Sequence, residues 1–271
     1  MKAEDLKLVV KNKYSEIVSE SKIMNESSCC GGSVCCGDME VSMIGDEYDN
    51  IEGHNPDADF GLGCGLPTQY AQIKAGDHVL DLGSGAGNDC FVARSIVGET
   101  GHVTGIDFTE AMLEKANKNL EKTGFTNLDF VYGDIEDMPL KDDTFDVVIS
   151  NCVLNLVPDK QKAFSEIYRV LKPGGHFCIS DVVSTGDLPH DLREAAEMYA
   201  GCVSGAILKE KYLEIIKEQG FTNIEIKKEK EIEIPEKILL KYISAEALEQ
   251  LHKEEIGIYS ITLNATKNEQ E

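Results

Sequence analysis

The chain from residue 76 onward alternates short apolar runs with amphipathic segments. Apolar runs typical of strands occur at 78–82, 102–106, 128–132, 145–150, 176–181, 224–228 and 258–266. Between them, apolar residues recur at the spacing of a helix that is buried on one side. The run FDVVIS is nearly all apolar, as expected for a central parallel strand. This order predicts an α/β protein with a mostly parallel, doubly wound sheet and helices on both faces.

Helix boundaries are marked by residues that cap or break helices. The markers are Thr109 and Gly124 around one helix, Pro158 and 172–175 around the next, and Gly220 at the end of a third. A further helix is predicted over 88–97, directly after a glycine-rich turn. The predicted helices therefore alternate with the predicted strands.

The N-terminal part of the chain has a different character. Apolar positions over 3–18 share one face of a helix, whereas 25–56 is rich in Gly, Ser, Asp and Asn and contains two Cys-Cys pairs. We predict a helix with a cysteine-rich mobile arm over 1–53. The α/β domain is predicted over 54–271, with an insertion around 183–208 after the fifth strand.

The formal net charge of the 271-residue chain is −23 at pH 7. A nucleic-acid-binding protein needs a basic face, and an anionic membrane repels an acidic protein, so we expect neither partner. No apolar run approaches the roughly 18 residues of a membrane span. The N-terminus, MKAEDLKLVV, lacks the basic and apolar regions of a secretion signal. These features predict a cytoplasmic protein.

A glycine loop follows the first predicted strand directly. Residues 81–87 read DLGSGAG, and alternate glycines allow a tight turn and a close approach of backbone to a ligand. The spacing differs from the G-x-G-x-x-G of dinucleotide-binding proteins. Asp107 closes the second strand, where a carboxylate can accept hydrogen bonds from ribose hydroxyls. After the third strand, Asp134 can face the adenine amino group or a nearby donor, and Ile135 is expected to contact the adenine ring. The sequence therefore predicts a nucleoside-binding site.

This region resembles the class I methyltransferases that use S-adenosylmethionine. The resemblance covers about residues 74–182 and includes the LKPGG before the fifth strand. It implies a Rossmann-like fold with S-adenosylmethionine as the cofactor. The residues expected to bind this cofactor are Asp81, Gly83, Ser84, Gly85, Gly87, Asp107, Asp134, Ile135 and Asn151.

Nine cysteines are unusual in a chain with no export signal. No C-x-x-C pair occurs, so the common zinc-ribbon spacing is missing. Cys90, on a predicted helix, and Cys178, within a strand, are expected to be small buried core residues. Cys64, Cys152 and Cys202 lie in loops with glycine or polar neighbours, and Cys152 follows the fourth strand, where an acceptor would meet the cofactor. Their positions favour a ligand role.

The segments around these three cysteines resemble the arsenite S-adenosylmethionine methyltransferases. Matching stretches between about residues 61 and 220 include FGLGCGLP, SNCVLNL and GCVSGA. The resemblance implies that Cys64, Cys152 and Cys202 are catalytic and bind trivalent arsenic as thiolates, because a soft element prefers sulfur ligands. The family also uses a cysteine of the N-terminal arm. The candidates for it are Cys29, Cys30, Cys35 and Cys36.

The same resemblance implies a reaction and its partners. The methyl group of S-adenosylmethionine passes to thiolate-bound trivalent arsenic, a small-molecule substrate supplied as arsenite or as a thiol conjugate. A thiol reductant of the thioredoxin or glutathione type is expected as a redox partner. The products are methylated arsenicals.

Two alternatives remain open at this point. One is a class I methyltransferase that acts on a small organic acceptor, in which alanine at Cys152 or Cys202 barely changes turnover. The other is a thiol-based metalloid-binding protein without turnover, which retains the metalloid and forms no methylated product.

Overall fold

The computed structural model describes residues 3–27, 48, 51–189, 205–233, 236–240 and 243–269. Five cysteines that the sequence analysis singled out lie outside these residues: Cys29, Cys30, Cys35, Cys36 and Cys202. Their roles therefore stay predictions. Within the part of the chain that is described, no helix is both long enough and apolar enough to cross a bilayer.

Seven strands form one sheet in the order β3-β2-β1-β4-β5-β7-β6. They are β1 (His78–Leu82), β2 (His102–Asp107), β3 (Leu128–Tyr132), β4 (Phe145–Asn151), β5 (Leu171–Ser184), β6 (Phe221–Glu231) and β7 (Ile258–Lys267). Strands β1 to β5 pair in parallel, and β7 pairs antiparallel with both β5 and β6. All seven predicted strands and the mostly parallel sheet are confirmed.

Helices flank the sheet and precede it. They are α1 (Ala3–Ser27), α2 (Pro67–Tyr70), α3 (Asn88–Val97), α4 (Glu110–Thr123), α5 (Lys160–Val170), α6 (Lys209–Glu218), α7 (Glu236–Leu239) and α8 (Ala245–Lys253), with a short 3-10 helix over Leu154–Leu156. Gly124 and Gly220, predicted to end helices, have φ of 70° and 91°. These left-handed conformations explain why glycine stands at both helix ends.

One predicted helix start and one predicted capping hydrogen bond need correction. The helix expected to open at Pro158 begins at Lys160, because the Asp159 side chain caps it by accepting a hydrogen bond from the Lys162 N–H (3.0 Å). Thr109 stands at the N-cap of α4, but its side chain makes no capping hydrogen bond. Its N–H instead donates to Asp107 (2.8 Å).

The LKPGG segment, predicted to separate helix from strand, lies within β5. Phe145 pairs with Leu171, whereas the next paired residue of β4, Val147, faces His176. The extra residues between Leu171 and His176 bulge out of the ladder, so Pro173 takes no place in it. The segment thus interrupts the strand pairing without ending the strand.

Alternate residues of β1 face two hydrophobic layers. Leu80 packs in a cluster with Phe164 and Tyr212, which belong to α5 and α6. Val79 packs in a second cluster with Phe91 of α3. The sheet is therefore covered on both faces, as its apolar strands require.

The carboxyl ends of β1 and β4 lie side by side at the centre of the sheet. The chain leaves β1 towards β2 on one side and later returns to β4 on the other side. Ligands of open α/β sheets bind in the crevice at such a switch point. Gly83 follows β1 and Cys152 follows β4, so the glycine loop and one loop cysteine lie at the same crevice.

Truncation of Phe164 tests the larger hydrophobic layer. Its side chain is fully buried, and its ring centroid lies 5.8 Å from that of Phe177 and 5.6 Å from that of Tyr212. Phe164→Ala should lower the free energy of unfolding by about 3–5 kcal/mol, because it leaves a cavity. Leu8→Ala, at an exposed position of α1, should change it by less than about 0.5 kcal/mol. Urea unfolding measures both, and equal losses would contradict this assignment of the core.

Candidate functional site

The glycine loop between β1 and α3 bends over the carboxyl end of the sheet. Gly83 and Gly87 have φ of 65° and 96°, a region that favours glycine. A Cβ atom on Gly83 would lie 2.6 Å from the side chain of Val153, and one on Gly87 would lie 2.6 Å from Phe130. The loop thus needs glycine both for its turn and for its close packing.

Asp107, predicted to hold a ribose, is fixed at the end of β2. Its Oδ2 accepts a hydrogen bond from the Gly85 N–H (3.0 Å), and its Oδ1 accepts one from the Thr109 N–H (2.8 Å). Burial raises the pKa of this carboxyl group, and the surrounding backbone N–H groups act in the opposite direction. Each oxygen can accept a second hydrogen bond, so the carboxylate can bind the two hydroxyl groups of a ribose.

Two adjoining cavities flank the glycine loop. Apolar residues such as Ile135 and Val157 line the first, together with Asp107 and Asp134. The second shares Gly83 and Asp107 with the first. The first cavity therefore suits a flat, mostly apolar ring, and the second continues from it past the ribose position.

The second cavity is strongly acidic. Four carboxylates line it, and none of the described residues in its wall is basic; the acids are Asp59, Asp81, Asp89 and Asp107. Buried carboxyl groups without a basic partner are costly to ionise, and a bound cation offsets that cost. The donor set of this cavity therefore fits the sulfonium and ammonium groups of S-adenosylmethionine.

Helix α1 forms a wall of both cavities, which the sequence analysis missed. Val10 lines the first cavity and Tyr14 lines both. Lys7 donates to Asp134 (2.6 Å) and to Glu136. Asp134, expected to face adenine, thus also binds α1. The three- and four-residue spacing of Lys7, Val10 and Tyr14 indicates a common helix face, but no sequence pattern says which surface that face covers.

A buried hydrogen-bond cluster joins the second cavity to the loop that carries Cys64. The Tyr48 hydroxyl donates to Asp89 (2.9 Å), and the Asn151 Nδ2 lies 2.7 Å from that hydroxyl and 3.1 Å from Asp89. Burial raises the pKa of Asp89 to about 6, opposed by the hydrogen bonds from Asn151 and Tyr48. Burial, with Asp89 nearby, also raises the pKa of Asp81. The sequence analysis singled out neither Tyr48 nor Asp89.

Cys64 and Cys152 lie in one apolar cluster beside the carboxyl-terminal part of β5. Both are 2% exposed, and they pack in this cluster with Val182 of β5. The buried Tyr212 hydroxyl donates to Asp181 (2.9 Å). Burial raises the pKa of this hydroxyl, and Asp181 and both cysteines add to that increase. Two of the three predicted arsenic ligands therefore come together, while Cys202 lies outside the described residues.

The backbone around both thiols is constrained. Cys152 has a φ of 60°, a left-handed conformation that is unfavourable for a residue with a side chain. Its N–H donates to the Ser180 carbonyl oxygen (2.8 Å). The Cys64 N–H donates to Asn151 Oδ1 (2.9 Å), and the Cys64 carbonyl oxygen accepts from Ser260 (2.5 Å). Strained backbone held by its surroundings is typical of functional sites.

The other two described cysteines behave as predicted for the core. Cys90 and Cys178 are fully buried, and burial raises the pKa of both thiols. The Cys90 thiol donates to Asp81 (3.1 Å) beneath the glycine loop. In the described ranges, no group of three or more His, Cys, Asp or Glu side chains is arranged to hold a metal ion.

The buried carboxyl group of Asp89 predicts a pH dependence of stability. Its pKa is about 6 in the folded protein against an ordinary value of 3.8, so the folded state keeps this proton to higher pH than the unfolded state does. The contribution of Asp89 to stability should fall as pH rises from 3.8 to about 6, by up to roughly 3 kcal/mol. Asp89→Asn should remove this fall.

Urea unfolding of both proteins at several pH values between 4 and 7 measures the difference. Asp57→Asn provides a control whose pH dependence should stay close to that of the wild type over this range, because Lys122 lowers the pKa of that exposed carboxyl group below its ordinary value of 3.8. Parallel pH curves for the wild type and Asp89→Asn would contradict the assignment.

Comparisons with known proteins agree with this geometry. A family model described as a methyltransferase domain matches residues 73–220. An arsenite methyltransferase of Halobacterium salinarum is 45% identical over 68% of this chain and 47% of its own length. The arsenite methyltransferase of Homo sapiens is 42% identical over 59% of this chain and 44% of its own length. The chain thus spans about half the length of the curated relatives it matches.

A solved structure extends the comparison to three dimensions. The crystal structure of an arsenic (III) S-adenosylmethionine methyltransferase from Chlamydomonas reinhardtii aligns with a TM-score of 0.64 and 39% sequence identity, covering 76% of this chain and 68% of that one. The alignment includes most of this chain, and the family model matches more than half of it. The chain therefore belongs to the arsenite S-adenosylmethionine methyltransferase family of class I methyltransferases.

Proposed function

We propose that the chain transfers the methyl group of S-adenosylmethionine to trivalent arsenic bound by cysteine thiolates. One observation carries the proposal: Cys64 and Cys152 share a buried apolar cluster, and Asn151, the residue before Cys152, lines the acidic cavity. An acceptor held by these thiols would lie next to the cofactor. Cys202 is proposed as the third thiolate ligand.

The described residues fit S-adenosylmethionine along both cavities. Asp107 would bind the ribose, the wall that includes Ile135 would contact the adenine, and Asp81 and Asp89 would neutralise the charged methionine part. The glycine loop would let the backbone approach the cofactor closely. When bound, S-adenosylmethionine supplies a methyl group on a positively charged sulfur.

Binding by thiolates leaves the arsenic lone pair as the nucleophile of the methyl transfer. Three sulfur ligands leave the arsenic lone pair directed outwards. This lone pair forms the new arsenic–carbon bond, and the pair of the broken carbon–sulfur bond leaves with S-adenosylhomocysteine. No proton moves in this step, so the chain needs no general base. Positioning of the two substrates is the main contribution, worth at most roughly 7–11 kcal/mol.

A reductant completes the electron balance. Arsenic gives up its lone pair in forming the new bond, so its return to the trivalent state consumes two electrons. A thiol reductant of the thioredoxin or glutathione type would supply them as a redox partner. Cys29, Cys30, Cys35 or Cys36, in the proposed cysteine-rich arm of region 1–53, would relay arsenic or electrons to the site in region 54–271. The proposed location is the cytoplasm.

The similarity to arsenite methyltransferases favours arsenic over the two alternatives. A binding protein without turnover would not require the acidic cavity beside the thiols. Incubation with S-adenosylmethionine, arsenite and a thiol, followed by arsenic speciation, tests the proposal. Methylated arsenic is expected, and arsenic that is retained without methylation would contradict it.

The number of arsenic–sulfur bonds predicts that the three thiolates are not equally required for the two substrates. Each methyl group added to arsenic removes one arsenic–sulfur bond, so a monomethylated substrate needs only two thiolates, proposed as Cys152 and Cys202. Cys64→Ser should therefore lose methylation of arsenite and keep activity on monomethylated trivalent arsenic. Cys178→Ser, at a buried cysteine in β5 outside the site, should keep both activities. Equal loss on both substrates in Cys64→Ser would refute this prediction.

A further inference from the structure

The loop that carries Cys64 is held by one side chain from the neighbouring strand end. Asn151 is the last residue of β4, and its Oδ1 accepts the hydrogen bond from the Cys64 N–H (2.9 Å). Its Nδ2 donates to the carbonyl oxygen of Gly65 (2.8 Å). The amide therefore binds the backbone on both sides of the Cys64 side chain.

Packing around the amide leaves the loop little freedom. A Cβ atom on Gly63 would lie 2.5 Å from the Asn151 Nδ2, and one on Gly65 would lie 2.6 Å from the Ser180 Oγ. Neither glycine has a positive φ, so backbone conformation does not explain their presence. Close approach of the loop to β4 and β5 does explain it.

The same amide is adjacent to the second thiol and to the acidic cavity. Cys152 follows Asn151 directly and takes a left-handed conformation. The Nδ2 of Asn151, which donates to Gly65, also lies 3.1 Å from Asp89 and 2.7 Å from the Tyr48 hydroxyl. Asn151 therefore contacts the Cys64 loop, the Cys152 turn and the wall of the cofactor cavity.

We propose that Asn151 is a positioning residue that fixes the Cys64 thiol relative to Cys152, so that both can bind one arsenic atom. The inference rests on the proposed function, and it assigns Asn151 a role beyond contact with the cofactor. Loss of the amide would leave Cys64 present but misplaced. A displacement of about 1 Å is enough to reduce a rate by up to about 100-fold.

The Asn151→Ala variant should therefore behave like a protein without the Cys64 ligand. At saturating S-adenosylmethionine, its turnover with arsenite should fall about 10- to 100-fold. Turnover with monomethylated trivalent arsenic needs only two thiolates and should fall less, so the ratio of arsenite turnover to turnover with the monomethylated substrate should drop by about 10-fold. Assays of both substrates with arsenic speciation measure this split, which a general loss of stability would not produce.

The two hydrogen bonds from the Asn151 amide to Cys64 and Gly65 form a clamp on the loop. Gly63→Ala disturbs this clamp from the loop side and leaves the Asn151 side chain in the protein. The added methyl group meets only the amide of Asn151 among its nearest atoms, so the same loss selective for arsenite is expected. Asn127→Ala is the matched control. That amide donates to the carbonyl oxygens of Gly98 (2.8 Å) and Gly101 (2.7 Å), which precede the amino end of β2, away from the carboxyl ends of the strands that carry the site. It should lower stability without changing the ratio of the two activities.

The outcomes separate the two proposals. Equal losses on both substrates at saturating cofactor, or undiminished turnover with arsenite in both variants, would overturn the positioning role. A wild-type protein that methylates neither substrate would overturn the proposed function instead. The clamp would then be tested by equilibrium dialysis of the cofactor-free proteins against arsenite. The positioning role predicts weaker arsenite binding in both variants than in Asn127→Ala, and equal binding would contradict it.

Discussion

The side-chain amide of Asn151 joins the parts of the site that the chain supplies from distant positions. It binds the backbone at Cys64 and Gly65, precedes Cys152 and contacts Asp89 in the acidic cavity. A side-chain amide both donates and accepts hydrogen bonds. Asn151 can therefore bind the Cys64 N–H, the Gly65 carbonyl oxygen and the Asp89 carboxylate at once. The relative position of thiols and cofactor cavity thus depends on a small, buried set of hydrogen bonds.

Electrostatics divides the site into two environments. The side proposed for the cofactor is lined by carboxyl groups, and burial raises the pKa of Asp81, Asp89 and Asp107. The thiol side is an apolar cluster, in which Cys64 and Cys152 pack against Val182. A positively charged donor fits the first environment, and an uncharged arsenic acceptor fits the second. The negative charge of the whole chain presents no barrier to an uncharged substrate.

Much of the fold could be predicted from the sequence because its signals are local. Apolar periodicity located all seven strands, and Gly124 and Gly220 marked helix ends that need left-handed backbone. Position at strand ends also placed Asp107 and Cys152 at one crevice. The start of α5 was misplaced because Asp159, rather than Pro158, provides the cap.

Other parts of the site depend on contacts between residues far apart in sequence. Nothing in the pattern of α1 indicates that Lys7 reaches Asp134 or that Tyr14 lines both cavities. Tyr48 and Asp89 also gain their significance only when Asn151 meets them in the folded chain. Composition and spacing identify residue types, whereas such contacts follow from the packing of whole elements.

The central claim is that Cys64 and Cys152 bind a single arsenic atom. Arsenic K-edge X-ray absorption of the protein loaded with one equivalent of arsenite measures the ligands of arsenic directly. The account predicts a first shell of three sulfur atoms in the wild-type protein and one sulfur fewer in Cys64→Ser. An arsenic shell made of oxygen atoms, or a shell that is the same in both proteins, would contradict it.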